Sequence, residues 1–287
     1  SDRYATFKNL IITGSGTKTL PNKNIAVCND LTVRGGTLKI SHFSGGASPK
    51  YTYIDGAVNI EASGALETAE WEHVHLKGNI NKAGTANFRN NFPNQRFVFN
   101  GTLPQQIMGN YHGTNQNFYD LEFANAQGFN ADNSIELINK WYNSNGILRL
   151  AQDKKLELKL YAGMASAAGA NNYVDGQLSR RMASASSEAS FAIGDNGLSK
   201  PVSLTERSVN DQYWMASYFN QSPLDAGFNP ESITGSITMV STSEYFVLRG
   251  AASASAKLTL PLTGTNDIAQ LLLNLNDLRI ARWNGTQ

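Results

Sequence analysis

Charge is scarce in this sequence. Asp, Glu, Lys and Arg make up only 16% of 287 residues, well below the usual quarter. Long amphipathic helices carry Lys and Glu on their outer faces, so a chain this poor in charge is not built from them. The charges also balance, with Lys+Arg 24 against Asp+Glu 23 and a formal net charge of +1. Without a basic excess there is no counterion-releasing face for DNA or RNA, which argues against a nucleic-acid partner. Cysteine is reduced to one residue, Cys28, which rules out an intrachain disulfide and any cysteine-built zinc site. It sits at the end of a short apolar pulse and reads as a small filler. No apolar run approaches the length of a membrane span, so no membrane insertion is expected in this segment. The chain opens on Ser1-Asp2-Arg3, with neither initiator Met nor signal peptide, and reads as a processed or excised fragment. There is no Gly-x-Ser-x-Gly elbow. Gly14-Ser15-Gly16 is followed by a strand pulse rather than a helix, so it is no phosphate cradle.

What is present is short, apolar and periodic. Leu10-Ile11-Ile12, Ile25-Ala26-Val27, Leu31-Thr32-Val33 and Leu38-Lys39-Ile40 follow one another with Gly or Asn between most of them. Similar landmarks return: Phe118 follows Phe7 by 111 residues (118 − 7), and Ile135 and Leu148 follow Ile25 and Leu38 by 110. Short strands that repeat can bury their apolar sides only by stacking coil on coil, and a triangular coil of roughly twenty-odd residues holds three of them. Residues 41–56, 109–117 and 161–174 interrupt the rhythm and read as loops. Beyond residue 174 the strands lengthen and alternate, as in Lys257-Leu258-Thr259-Leu260, the mark of a sheet buried on one face. The expected fold is all-β, with a β-solenoid over residues 1–174 and an antiparallel β-sandwich over 175–287 that caps it. Residues 267–273 are the one helix expected.

Several of these runs resemble repeat modules of very large cell-surface proteins of Bacteroidota. The residues concerned are Phe97-Val98-Phe99-Asn100-Gly101-Thr102, Gln105-Gln106-Ile107, Phe118-Tyr119-Asp120-Leu121 and Phe7-Lys8-Asn9-Leu10-Ile11-Ile12. Phe191-Ala192-Ile193-Gly194-Asp195 and Asp277-Leu278-Arg279-Ile280-Ala281-Arg282-Trp283 resemble segments that follow such repeats. The resemblance implies a β-helix-type module of a gliding or adhesin-like protein, exported by the type IX route and displayed at the cell surface.

The candidate site residues are few. His73 and His75 share one face of an extended run, yet a zinc or copper site needs a third ligand, and His42 and His112 are far away in sequence. No metal site or cofactor is therefore assigned. Asp55, Glu61, Glu67, Glu70 and Glu72 are the carboxylates that adjacent coils might gather, but no spacing marks a catalytic pair. Gly194-Asp195-Asn196-Gly197 lacks the alternating acids of a calcium loop and reads as an Asn-Gly turn. Trp71, Tyr111, Trp141, Tyr213 and Trp214 are the candidate ligand-binding residues, since exposed aromatic faces stack on sugar rings or anchor partners. Trp141 and Tyr142 point to opposite faces if extended, so only one can be outward.

The reading is a non-catalytic segment of a large surface adhesin or stalk, extracellular, binding glycan or another surface beside further modules of the same protein. The rival is a β-helix carbohydrate-active enzyme, a lyase or hydrolase.

Overall fold

The computed structural model describes residues 4–40, 49–90, 92–159, 163–164, 168–233, 239–252, 254–262 and 280–283. It is an all-β β-solenoid of about eight turns with a small antiparallel three-stranded sheet. Two long sheets run along it. The first carries, in order, Ala5–Phe7, Ile25–Val27, Lys50–Ile54, Glu72–Leu76, Arg96–Phe99, Phe118–Ala124, Ile135–Asn145, Lys155–Leu158 and Gln177–Met182, all parallel. The second carries Leu10–Ile12, Leu31–Ile40, Val58–Thr68, Ile80–Lys82, Gln105–Met108, Phe129–Ala131, Leu148–Leu150, Val174–Asp175 and Ile193–Asp195, also parallel. The two long strands of the second sheet pair with each other across a register shift at Val33/Gly35, and their far ends pair further with Thr17–Thr19 and Asn87–Arg89.

Alternation decides which side chains go in. Along Glu72–Leu76 every second residue is buried, and the same holds for Ile80–Lys82 and Phe129–Ala131. One turn of the coil brings the next inward residue above the last. Ile25, Thr52, Val74, Phe97, Leu121 and Trp141 form one interior column, and Phe7, Val27, Ile54, Leu76, Phe99 and Phe123 form another. Each fully buried apolar side chain of such a column contributes roughly 1.5–3 kcal/mol. These columns also locate the repeat. Phe7 lines up with Phe123 and Ile25 with Trp141, a spacing of 116 residues over five turns in both cases (123 − 7, 141 − 25). Phe118 and Ile135, the sequence counterparts of Phe7 and Ile25, stand in other columns. The repeating unit is therefore the coil itself, and the 110-residue similarity samples it slightly out of phase.

Glycine holds the corner between the two sheets. A Cβ on Gly78 would lie 2.2 Å from the carbonyl oxygen of Gly56, and one on Gly101 2.4 Å from that of Lys77. Successive coils pass each other there too closely for any side chain.

The loop expected at 41–56 is shorter than that range, because Lys50–Ile54 is a strand of the first sheet; residues 41–48 lie outside the described set. Past residue 174 the parallel ladders run on to Gln177–Met182 and Ile193–Asp195 before antiparallel pairing takes over. Gln212–Phe219 then pairs antiparallel with Gln177–Met182, and Tyr245–Arg249 with Gln212–Phe219. Ala189–Phe191, Val202–Thr205 and Lys257–Thr259 make the small separate sheet. The expected helix at 267–273 lies outside the described residues. Among the described residues one 3-10 turn, Pro223–Ala226, capped by Ser222, adds to the expected elements.

Candidate functional site

The outer face of the first sheet carries aromatic rings and imidazoles in register. Tyr51 pairs with His73 and then Arg96, while Tyr53 pairs with His75 and then Val98. These positions alternate with the buried Thr52, Val74 and Phe97, so the sequence turns them outward by strand period alone. Their rings touch along the solenoid axis. Tyr53 and His75 stack with centroids 4.9 Å apart, Tyr51 meets His73 edge-on at 5.5 Å, and Tyr4 reaches Tyr53 at 6.0 Å. Further along, the Arg96 guanidinium sits 3.8 Å from the ring centroid of Tyr142 and bonds Glu122 at 3.1 Å. Rings that stack on one another show their edges to solvent, so this strip offers hydroxyls and ring nitrogens rather than broad faces.

Burial keeps the strip uncharged at its centre. Partial burial, reinforced by Arg96 and His75, pushes His73 down to about 4. Burial also lowers His75; Glu122 opposes that shift and Arg96 adds to it. Both rings are neutral at physiological pH. Asn100 Nδ2 lies 3.4 Å from His75 Nδ1, and His75 Nε2, Arg96 Nε and Asn100 Oδ1 are buried atoms without hydrogen-bond partners. The same holds for polar atoms elsewhere along the chain, among them Asn81 Oδ1, Asn117 Oδ1 and Asn143 Nδ2.

The five aromatic candidates divide. Tyr111 and Trp141 have 0% exposure and belong to the core, so neither offers a ring face to a ligand. Trp214 is also buried, against Gly250, where a Cβ would lie 2.7 Å from the indole. Large aromatics release most free energy when desolvated, which explains the inward choice. The outward residue of the Trp141-Tyr142 pair is Tyr142, as alternation allows. Trp71 is half-buried with φ 63, a left-handed backbone rare for a bulky residue, and directly precedes the strand bearing His73 and His75. Tyr213 is exposed, far along the same sheet, with Arg181 over its ring.

The carboxylates do not converge. Asp55 pairs with Lys77 at 2.8 Å, Glu61 with Arg34 at 3.2 Å and Glu67 with Arg89 at 3.2 Å, each across neighbouring coils. Glu70 is exposed. Glu72 points inward, accepts a hydrogen bond from Thr52 Oγ1 at 2.7 Å, and is pushed up to about 8 by burial. The Asn196-Gly197 turn is a tight connection between Ile193–Asp195 and Leu198–Ser199, both turn residues having positive φ. Cys28 is exposed at its rung end, not a filler.

Tyr51 and Tyr53 were missed because their strand was read as loop. The alternation in Lys50-Tyr51-Thr52-Tyr53-Ile54, one coil before Glu72-His73-Val74-His75-Leu76, was the available signal. The fold and this strip define a β-solenoid with a polar aromatic outer face. No family model, no curated protein and no solved structure matches the chain.

Proposed function

We propose that the chain is a non-catalytic segment of a large cell-surface protein, a stalk or adhesin, which meets a surface polysaccharide or another cell-surface partner through the strip of Tyr51, Tyr53, His73, His75, Arg96 and Tyr142. The observation that carries this reading is the row of outward rings, Tyr51, Tyr53, His73 and His75, in contact with one another along one face. Sugar hydroxyls are suited to the tyrosine hydroxyls of this row, and apolar sugar faces to the flanking aromatics. Trp71 borders the strip and belongs to the same proposal. Parallel ladders along the whole solenoid suit a stiff spacer, and repeated modules of this kind would raise avidity without strong single sites. An extracellular setting, with type IX export and gliding or adhesion as its context, belongs to the same proposal and rests on the sequence resemblance to Bacteroidota surface proteins alone.

The rival, polysaccharide cleavage, has less support, since the carboxylates first considered are tied to cations of neighbouring coils or turned inward. The test is a glycan array probed with the full chain and with a Tyr51→Ala/Tyr53→Ala variant. Binding that the double variant loses by tenfold or more is the expected result. New reducing ends or unsaturated products released from a polysaccharide panel would overturn the non-catalytic reading.

A further inference from the structure

A second cluster lies further along the outer face of the first sheet, away from the tyrosine strip. Tyr111 bridges to Ile135, which pairs with Leu156, so the next residues, His112, Glu136 and Glu157, stand on three successive coils at one position. Coil stacking, spaced by about 4.8 Å, makes neighbours of residues that are far apart in sequence. One ligand atom from each of the three side chains lies within 4.8 Å of the others. Both carboxylates are nearly buried, with side-chain exposures of 3% and 8%. His112 Nε2 is itself buried and faces both carboxylates, 3.7 Å from Glu136 Oε2 and 3.4 Å from Glu157 Oε2, and the Tyr213 hydroxyl bonds Glu157 from the neighbouring strand.

We propose that His112, Glu136 and Glu157 form a binding site for one divalent transition-metal ion of the zinc class, with Lys155 and Lys159 as the cations it displaces. The spacing fits. Ligand bonds of about 2.0–2.2 Å in a tetrahedron set neighbouring ligand atoms about 3.3–3.6 Å apart. One imidazole nitrogen with two carboxylate oxygens suits zinc or manganese better than calcium, which takes six or more oxygens. The fourth position falls to water. Charge balances as well. Lys159 Nζ lies 2.9 Å from Glu136 Oε1 and Lys155 bonds Glu157 Oε2, so two ammonium groups neutralise the two carboxylates. A single divalent ion does the same. Both lysine side chains are about a third or more exposed, on flexible stems that can swing into water. Asn117 Nδ2, 2.7 Å from Glu136 Oε1, holds that carboxylate with its other oxygen toward His112.

The cluster does not serve as a glycosidase pair. Two nearly buried carboxylates leave no room for a sugar between them. The metal site is also independent of the strip, and one experiment separates the two. The full chain is titrated with zinc chloride by calorimetry, the bound metal is counted after dialysis, and cobalt(II) absorption reports the geometry. The wild type should bind one ion per chain and melt at a higher temperature in its presence. His112→Gln and Glu157→Gln, checked for folding by circular dichroism, should each weaken binding tenfold or more. Lys155→Met should strengthen it, a result that a purely structural ion network would not produce. A His73→Ala/His75→Ala variant should bind as the wild type does. No stoichiometric zinc in the wild type, unchanged affinity in His112→Gln, or loss of the ion only in the His73→Ala/His75→Ala variant would overturn the proposal.

Discussion

The early coils and the middle coils use aromatic residues in opposite ways. Around Ile25, Val27, Leu31, Val33, Ile54, Val58 and Ile60 the interior is aliphatic, while Tyr4, Tyr51 and Tyr53 lie outside. From Phe88 onward the interior is packed with rings: Phe97, Phe99, Phe118, Phe123, Phe129, Tyr111 and Trp141 are all fully buried. Ion pairs line the outside of both regions, Arg34 with Glu61 and Asp55 with Lys77 in the early coils, Arg96 with Glu122 and Lys159 with Glu136 in the middle ones. The crossover falls between Leu76 and Phe97. One scaffold thus supports two solutions. Where β-branched and leucine side chains fill the interior, Tyr51 and Tyr53 stack on the outer face; where rings fill it, Tyr142 stands outside under Arg96.

The contrast can be broken most severely from inside. Phe118 contacts Phe88, Phe97, Phe99 and Tyr111, so Phe118→Ala should lower stability by about 3–5 kcal/mol in denaturant unfolding of the full chain. A loss below about 1 kcal/mol would mean that the middle core is loosely packed.

Next in size comes the pair Glu72 and His73, adjacent in sequence but on opposite sides of the sheet. Glu72 is raised to about 8 in the folded chain. Its stabilising contribution is fully present below its unfolded pKa and is lost as pH rises through about 8. Glu72→Gln should therefore gain up to about 4 kcal/mol at pH 8 and less than about 1 kcal/mol at pH 5. His73 is lowered to about 4, so the folded chain takes up its proton later than the unfolded chain does. Stability from that group is present above the unfolded value of 6.5 and falls as pH drops toward 4. His73→Gln should flatten the acid side of a melting-temperature profile and leave the alkaline side unchanged. A profile identical to wild type below pH 6 would show that His73 titrates normally.

A smaller effect belongs to the strip. Tyr53→Ala removes ring contacts to Tyr4, Tyr51 and His75 and should cost only about 0.5–1.5 kcal/mol in stability. If its loss matches that of Phe118→Ala, the outer rings are core in all but position. Smallest of all, Arg34 and Glu61 are more than half exposed, and Glu61→Gln should change stability by less than about 1 kcal/mol, less still at high salt.

Alternation and spacing were legible without coordinates. The all-β class, the coil of twenty-odd residues, the shared face of His73 and His75, and the opposed directions of Trp141 and Tyr142 all follow from strand period. The Asn196-Gly197 turn follows from backbone preference. What escaped was the sign of each alternation. Nothing local to Trp141 or Tyr111 says which parity faces the interior, because an aromatic residue is equally at home in a ring-filled core and on a stacked outer strip. The phase of the repeat escaped for a related reason: turns of unequal length make coils of 19 to 28 residues, as in Phe129 to Leu148 and Gly35 to Ser63, so no single coil length tracks a column.

By itself the sequence determined that short strands must stack, since strands of three to five residues cannot bury their apolar sides any other way. Only the tertiary structure decided which residues become neighbours across coils. Tyr53 meets His75, and His112 meets Glu136 and Glu157, through ladder hydrogen bonds between backbones that carry no record of the side chains they align. That register depends on the length of every intervening turn and is settled only when the columns close-pack.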